Sequence, residues 1–204
     1  MERKEQDYMQ DLREIRSIME RSTKFLSLSG ISGVLAGLYA LAGAYLAFKI
    51  FEDQDALVYG IPSGQQVWDL LVIGLTVLVL AVTTAIVFST RKAKKRGQQI
   101  WNSAAKRMLV NMAVPLVTGG ILVLLLLAKG LILLMAPVTL IFYGLALYNA
   151  SKFTYSDVKY FGFVQLLLGL LGIYFTQYSL LVWAIGFGVM HIIYGIYVNY
   201  KYEG

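Results

Sequence analysis

Six stretches of this chain run for close to 20 residues or longer with almost no charge, at about 25–51, 67–90, 108–128, 131–150, 160–176 and 180–200. A helix rises about 1.5 Å per residue, so about 20 apolar residues cross the roughly 30 Å of bilayer hydrocarbon. The expected fold is therefore all-α: a polytopic integral membrane bundle of six transmembrane helices. Composition agrees, because 58% of the 204 residues are hydrophobic, against roughly 45–50% in soluble domains.

Charge gives the bundle a direction. Between the second and third runs, the stretch from Arg91 to Arg107 carries seven basic residues and no acid: Arg91, Lys92, Lys94, Lys95, Arg96, Lys106 and Arg107. Cytoplasmic loops are enriched in Lys and Arg, so this loop is placed inside and both termini with it. Sixteen of the 18 Lys/Arg then lie on the cytoplasmic side, and only Lys49 and Lys129 lie outside. The same loop, with Trp101 dipping into the interface, is expected to contact anionic lipid. The loop after the first run, with Glu52, Asp53 and Asp55, reads as acidic and external.

Residues 1–24 form a separate region. Tyr8, Leu12, Ile15 and Met19 recur at helical spacing, and the segment balances six bases against six acids. A helix with this stripe and no basic excess suits a protein surface better than an anionic membrane. The segment is thus expected to be a cytoplasmic amphipathic helix that packs on its own bundle, pairs in a homodimer, or meets a cytoplasmic protein. Its charge, and the length of the run that follows, argue against a cleaved signal peptide. Residues 25–204 form the transmembrane domain.

Small residues mark the packing faces. Gly30, Gly33 and Gly37 share one face of the first run with Ala40 and Ala44, and small side chains let membrane helices approach closely. In the fifth run Gly162, Gln165, Gly169 and Gly172 share a face. In the sixth Gly188, His191, Gly195 and Asn199 do so. Gln165 lies thirteen residues before Tyr178 and His191 thirteen after it, which puts both about 20 Å from a turn at Tyr178. The expectation is a glycine-lined seam within this hairpin, with Gln165 and His191 hydrogen-bonded to each other. Asn111, Asn149 and Asn199 would extend the polar seam towards the inner ends of their spans, either as interhelical glue or as a cavity open to the cytoplasm. Pro115 and Pro137 are each expected to kink their helix.

The chemistry this leaves is narrow. The chain has no cysteine and one histidine, so no metal site is expected, and no GxxxxGK[ST] loop provides a seat for nucleotide hydrolysis. The net charge of +6 comes from loops and needs no nucleic acid to explain it. A histidine on the sixth of six spans resembles the rhomboid intramembrane protease pattern. However, the fourth span lacks the GxSG serine, and Thr139 has no glycine-flanked setting.

The opening IRSIMERSTKFLSLSGISGVLAGLYALAGAY, followed by six spans, resembles a family of small bacterial multi-pass membrane proteins that has no assigned activity. The resemblance implies a bacterial inner membrane. The expectation is a non-enzymatic protein with no cofactor, in contact with membrane lipids. It would be a regulatory or binding module for a small apolar or amphipathic ligand or a partner; the alternative is a small transporter or channel subunit.

Overall fold

The computed structural model describes residues 24–26, 29–50, 63–95, 97 and 101–203. The expected helix over residues 2–24 and the acidic loop lie almost wholly outside them. Among the described residues the chain is helical, without a strand. Its elements are α1 (Gly30–Ile50), α2 (Gly64–Lys95), α3 (Ser103–Ala128), α4 (Met135–Ala150) and α5 (Val158–Tyr174). A last span follows, made of α6 (Ser179–Trp183), a π-helical stretch (Ala184–Val189) and α7 (Met190–Tyr202). Short 3-10 turns at Ile132–Leu134 and Thr176–Tyr178 join α3 to α4 and α5 to α6.

Among the described residues, five helices are long and apolar enough to cross a membrane: α1, α2, α3, Ile132–Ala150 and Thr176–Tyr202. The fifth apolar run becomes a helix of 17 residues, Val158–Tyr174, below that length. These features are those of a multi-pass membrane protein.

Glycine decides which helices meet. A Cβ built on Gly37 would lie 2.6 Å from Gly188 O, and one on Gly30 would lie 2.5 Å from Asn199 N. Gly33 faces Gly195 a little more loosely, with a Cβ built on it 3.2 Å from the Gly195 Cα. The glycine face of α1 is thus taken up within the chain, backbone against backbone, by the last span. In the absence of a hydrophobic force between helices in lipid, this close packing holds them together. The glycines of α5 turn elsewhere: Gly162 meets Gly144 O, and Gly169 and Gly172 meet Pro137 on α4. The expected glycine-lined seam between the fifth and sixth spans is therefore replaced by an α4–α5 seam, and aromatic rings fill the space inside the hairpin.

The two outer helices are different. α2 lies along α1, where Gly43 receives Val77, and α3 lies along α4, where Gly119 receives Phe142. Both leave most of their apolar surface uncovered, including Leu75, Leu78 and Ile86 on α2 and Val114, Val117 and Leu124 on α3.

Two further expectations change. The basic loop is mostly two helix ends: α2 continues through Lys95, and α3 starts at Ser103, capped by Asn102 Oδ1 accepting from Ala105 N at 2.8 Å. Pro137 is the third residue of α4, where a helix has no internal use for its N–H, so it starts the helix rather than kinking it. Pro115 lies inside α3, which runs on through it.

Candidate functional site

The last span changes pitch where it passes the centre of the bundle. In an α-helix the Met190 N–H would bond to Gly186 O, but here it bonds to Ile185 O, five residues back. The wider turn releases the Gly186 carbonyl from that bond, and two buried side chains converge on it. Gln165 Nε2 donates to it at 2.9 Å and His191 Nδ1 at 3.0 Å. A carbonyl has two lone pairs, so both donors can be accommodated. Single π-turns in helices frequently fall at functional sites.

The expected direct bond between Gln165 and His191 is thus corrected: they meet through a shared backbone acceptor. The donation from Nδ1 fixes the tautomer of the neutral ring, leaving Nε2 to accept from Tyr143 OH at 2.8 Å. Rings enclose the imidazole: Tyr143 is stacked at 5.3 Å, Phe187 at 5.6 Å, and Phe161 meets it edge-on at 4.8 Å. Nearby, Trp183 Nε1 donates to Thr139 Oγ1 at 3.1 Å. Gln165 is 0% exposed, and its Oε1 has no hydrogen-bond partner; Tyr194 OH is likewise buried and unpaired. The knot is an open chain of hydrogen bonds that runs from Gln165 through Gly186 O and His191 to Tyr143, with Gln165 Oε1 as a spare acceptor. It contains no carboxylate to take or give a proton.

The asparagines do not join it. Asn111 is exposed and donates to Arg107 O in its own helix at 2.8 Å, which satisfies the amide without a neighbour. Asn149 is half-buried near the end of α4, and Asn199 lies against Gly30 on the α1 side of the last span. Tyr143 was missed by sequence reasoning. The available signal was its i+4 spacing from Thr139, which puts two hydroxyls on one face of α4.

A second cluster gathers at the end of the bundle where α2 finishes, the basic end. Glu203 Oε1 accepts from Gly30 N at 2.7 Å and from Lys92 Nζ at 2.9 Å, tying the last residues to the start of α1 and the end of α2. Phe25 N donates to Phe153 O, and Thr154 Oγ1 donates to Phe25 O, both at 2.7 Å. Tyr155 OH donates to Leu26 O, and its ring stacks on Tyr202 at 4.0 Å. Asp157 accepts from Lys201, Tyr197 and Tyr202 at 2.6, 2.8 and 2.9 Å. Burial alone would raise the Asp157 carboxyl, but the Lys201, Tyr197 and Tyr202 hydrogen bonds outweigh it and hold it below the usual carboxylate range.

Of the basic residues expected to touch anionic lipid, Arg91, Lys94, Lys95, Lys106 and Arg107 are exposed, as is Trp101. Lys92 is turned inward to Glu203, with 10% of its side chain exposed, and Arg96 lies outside the described residues. Among the described residues, no group of three or more His, Cys, Asp or Glu could hold a metal.

Two surface pockets stand out among the described residues, and Gln165 and His191 line neither. A cleft of about 420 Å³ lies between α1 and α2 at the end opposite the basic cluster. A crevice of about 50 Å³ lies between the start of α2 and the α3–α4 turn.

Fold and site together define a helical multi-pass membrane protein with a tied-off polar knot at its centre and a clasp at one end. No family model, curated protein or solved structure matches the chain.

Proposed function

We propose that the protein is a non-enzymatic binding module of a bacterial inner membrane, with six spans and both termini on the cytoplasmic side. In this reading α5 is the sixth crossing, and the basic end faces the cytoplasm by the positive-inside rule. The bundle serves as a rigid mount, and residues 2–24 are the part that meets a cytoplasmic partner.

The observation that carries this reading is the clasp. Phe25, Leu26 and Gly30, which follow the N-terminal segment in the chain, are bonded to Phe153, Thr154, Tyr155 and Glu203 from two other parts of the chain. A segment rooted this firmly is presented from a fixed point, and preorganisation of this kind lowers the cost of binding a partner. The knot around Gly186 supports a partner over a small ligand inside the bundle, because its donors are already engaged by the chain. The rival reading, a small transporter, rests on the π-turn and the unpaired Gln165 Oε1.

Photo-crosslinkers placed at Leu12 and Met19 in living cells separate the two. A discrete adduct with one cytoplasmic protein, together with liposomes that neither conduct ions nor move solutes, is the expected result. Transport activity without an adduct would overturn the proposal.

A further inference from the structure

We infer that the cleft between α1 and α2 is a binding site for a zwitterionic phospholipid carrying a primary ammonium, such as phosphatidylethanolamine. Leu46, Lys49, Ile50, Asp69, Val72 and Ile73 line it, around a volume of about 420 Å³. That volume lies within the usual range of ligand sites, about 300–1,000 Å³. Leu46, Ile50, Val72 and Ile73 are all apolar, which suits an acyl chain.

The two charges sit at the right depth. Asp69 is separated from Lys92 in the basic-end clasp by 23 residues of the same helix, about 35 Å along its axis. That is close to the roughly 30 Å thickness of the hydrocarbon, so a charge at each end of this helix reaches a headgroup layer. Trp68, next to Asp69, is 61% exposed at the same level, where an indole prefers to lie.

The pair of opposite signs selects the headgroup. The Lys49 ammonium has three N–H donors, enough to serve a phosphodiester oxygen alongside its contact within the chain. Asp69 Oδ1 already accepts from Gln65 Nε2 at 2.8 Å, which steadies a carboxylate that has further lone pairs to offer. An ammonium with N–H donors can use them; a choline cannot, and an anionic headgroup meets repulsion. The cleft would therefore order lipids oppositely to the exposed cations of the basic end, which favour anionic lipid.

Trp68 gives a local readout. With Trp101→Phe and Trp183→Phe in place, the full chain carries Trp68 alone and can be placed in vesicles of phosphatidylcholine. A minor fraction of a second lipid with brominated chains then quenches Trp68 in proportion to its occupancy of the cleft. Brominated phosphatidylethanolamine is expected to outcompete brominated phosphatidylcholine and phosphatidylglycerol by about fivefold, the scale of one partly exposed ion pair. Asp69→Asn should reduce phosphatidylethanolamine to the level of phosphatidylcholine, and Lys49→Gln should weaken all three, with thermal unfolding unchanged in both variants. Equal quenching by all three lipids in the parent chain, or an order that Asp69→Asn leaves intact, would overturn the assignment.

Discussion

α1 and α2 are neighbours in sequence and in space, yet they are held in opposite ways. Among the five candidate spans of the described residues, α2 holds the most apolar 18-residue window and none of that window is buried, while the window of α1 is less apolar and a third of it is covered. In water that ordering would be perverse. In lipid it follows, because tails solvate leucine as well as another helix does, and only a side chain small enough for two backbones to touch gives a helix a reason to dock. α1 has Gly30, Gly33 and Gly37 against the last span; α2 presents Leu75, Leu78 and Ile86 to its surroundings.

The comparison can be broken most forcefully at Gly37. A Cβ there meets Gly188 O at 2.6 Å and Ile192 N at 3.0 Å, both backbone atoms that cannot swing aside. Gly37→Leu is expected to destabilise the bundle by about 3 kcal/mol, the upper range for overpacking, or to prevent assembly. Thermal unfolding in detergent, read by size-exclusion recovery, measures this. A smaller effect is expected at the knot: Tyr143→Phe removes the donor to His191 Nε2 and should cost about 0.6 kcal/mol, the average for polar contacts between membrane helices. Leu78→Ala, on the uncovered face of α2, should change stability by less than about 0.5 kcal/mol in the same assay.

The clasp adds a pH dependence of defined sign. Asp157 is held below its ordinary range in the folded chain, so its contribution is present above the unfolded carboxylate pKa of about 3.9. It is lost as pH falls through the lower folded value. Asp157→Asn should therefore lower the melting temperature at pH 7, and the gap between the two chains should shrink as pH falls through the folded Asp157 value.

Much of this architecture was legible in the sequence, because apolar run length is a direct measure of what can cross a bilayer. The face of α1 was legible too, since Gly30, Gly33 and Gly37 fall together at helical spacing. Which helix that face meets was not: spacing describes one helix at a time, and the glycines of α5 proved to suit α4 rather than the last span. The knot was half legible. Gln165 and His191 stood out as polar residues at one depth, but the π-turn that offers them Gly186 O depends on hydrogen-bond register, which residue types do not encode. Asn111 misled for a related reason, because a polar side chain in a helix can bond the carbonyl four residues back and need no partner.

The central claim is that the glycine face of α1 is spent on the last span of the same chain. The sequence has no cysteine, so a pair introduced as Leu41→Cys on α1 and Gly188→Cys on the last span, one turn along from Gly37, reports on that seam alone. A Cβ on Gly188 lies 2.6 Å from Leu41 Cγ, a side chain that the first substitution shortens, and 3.6 Å from Gly37 O; oxidation in native membranes is expected to give a disulfide that leaves the chain migrating as a monomer. A disulfide that appears only between two chains would place the seam between copies and contradict the account.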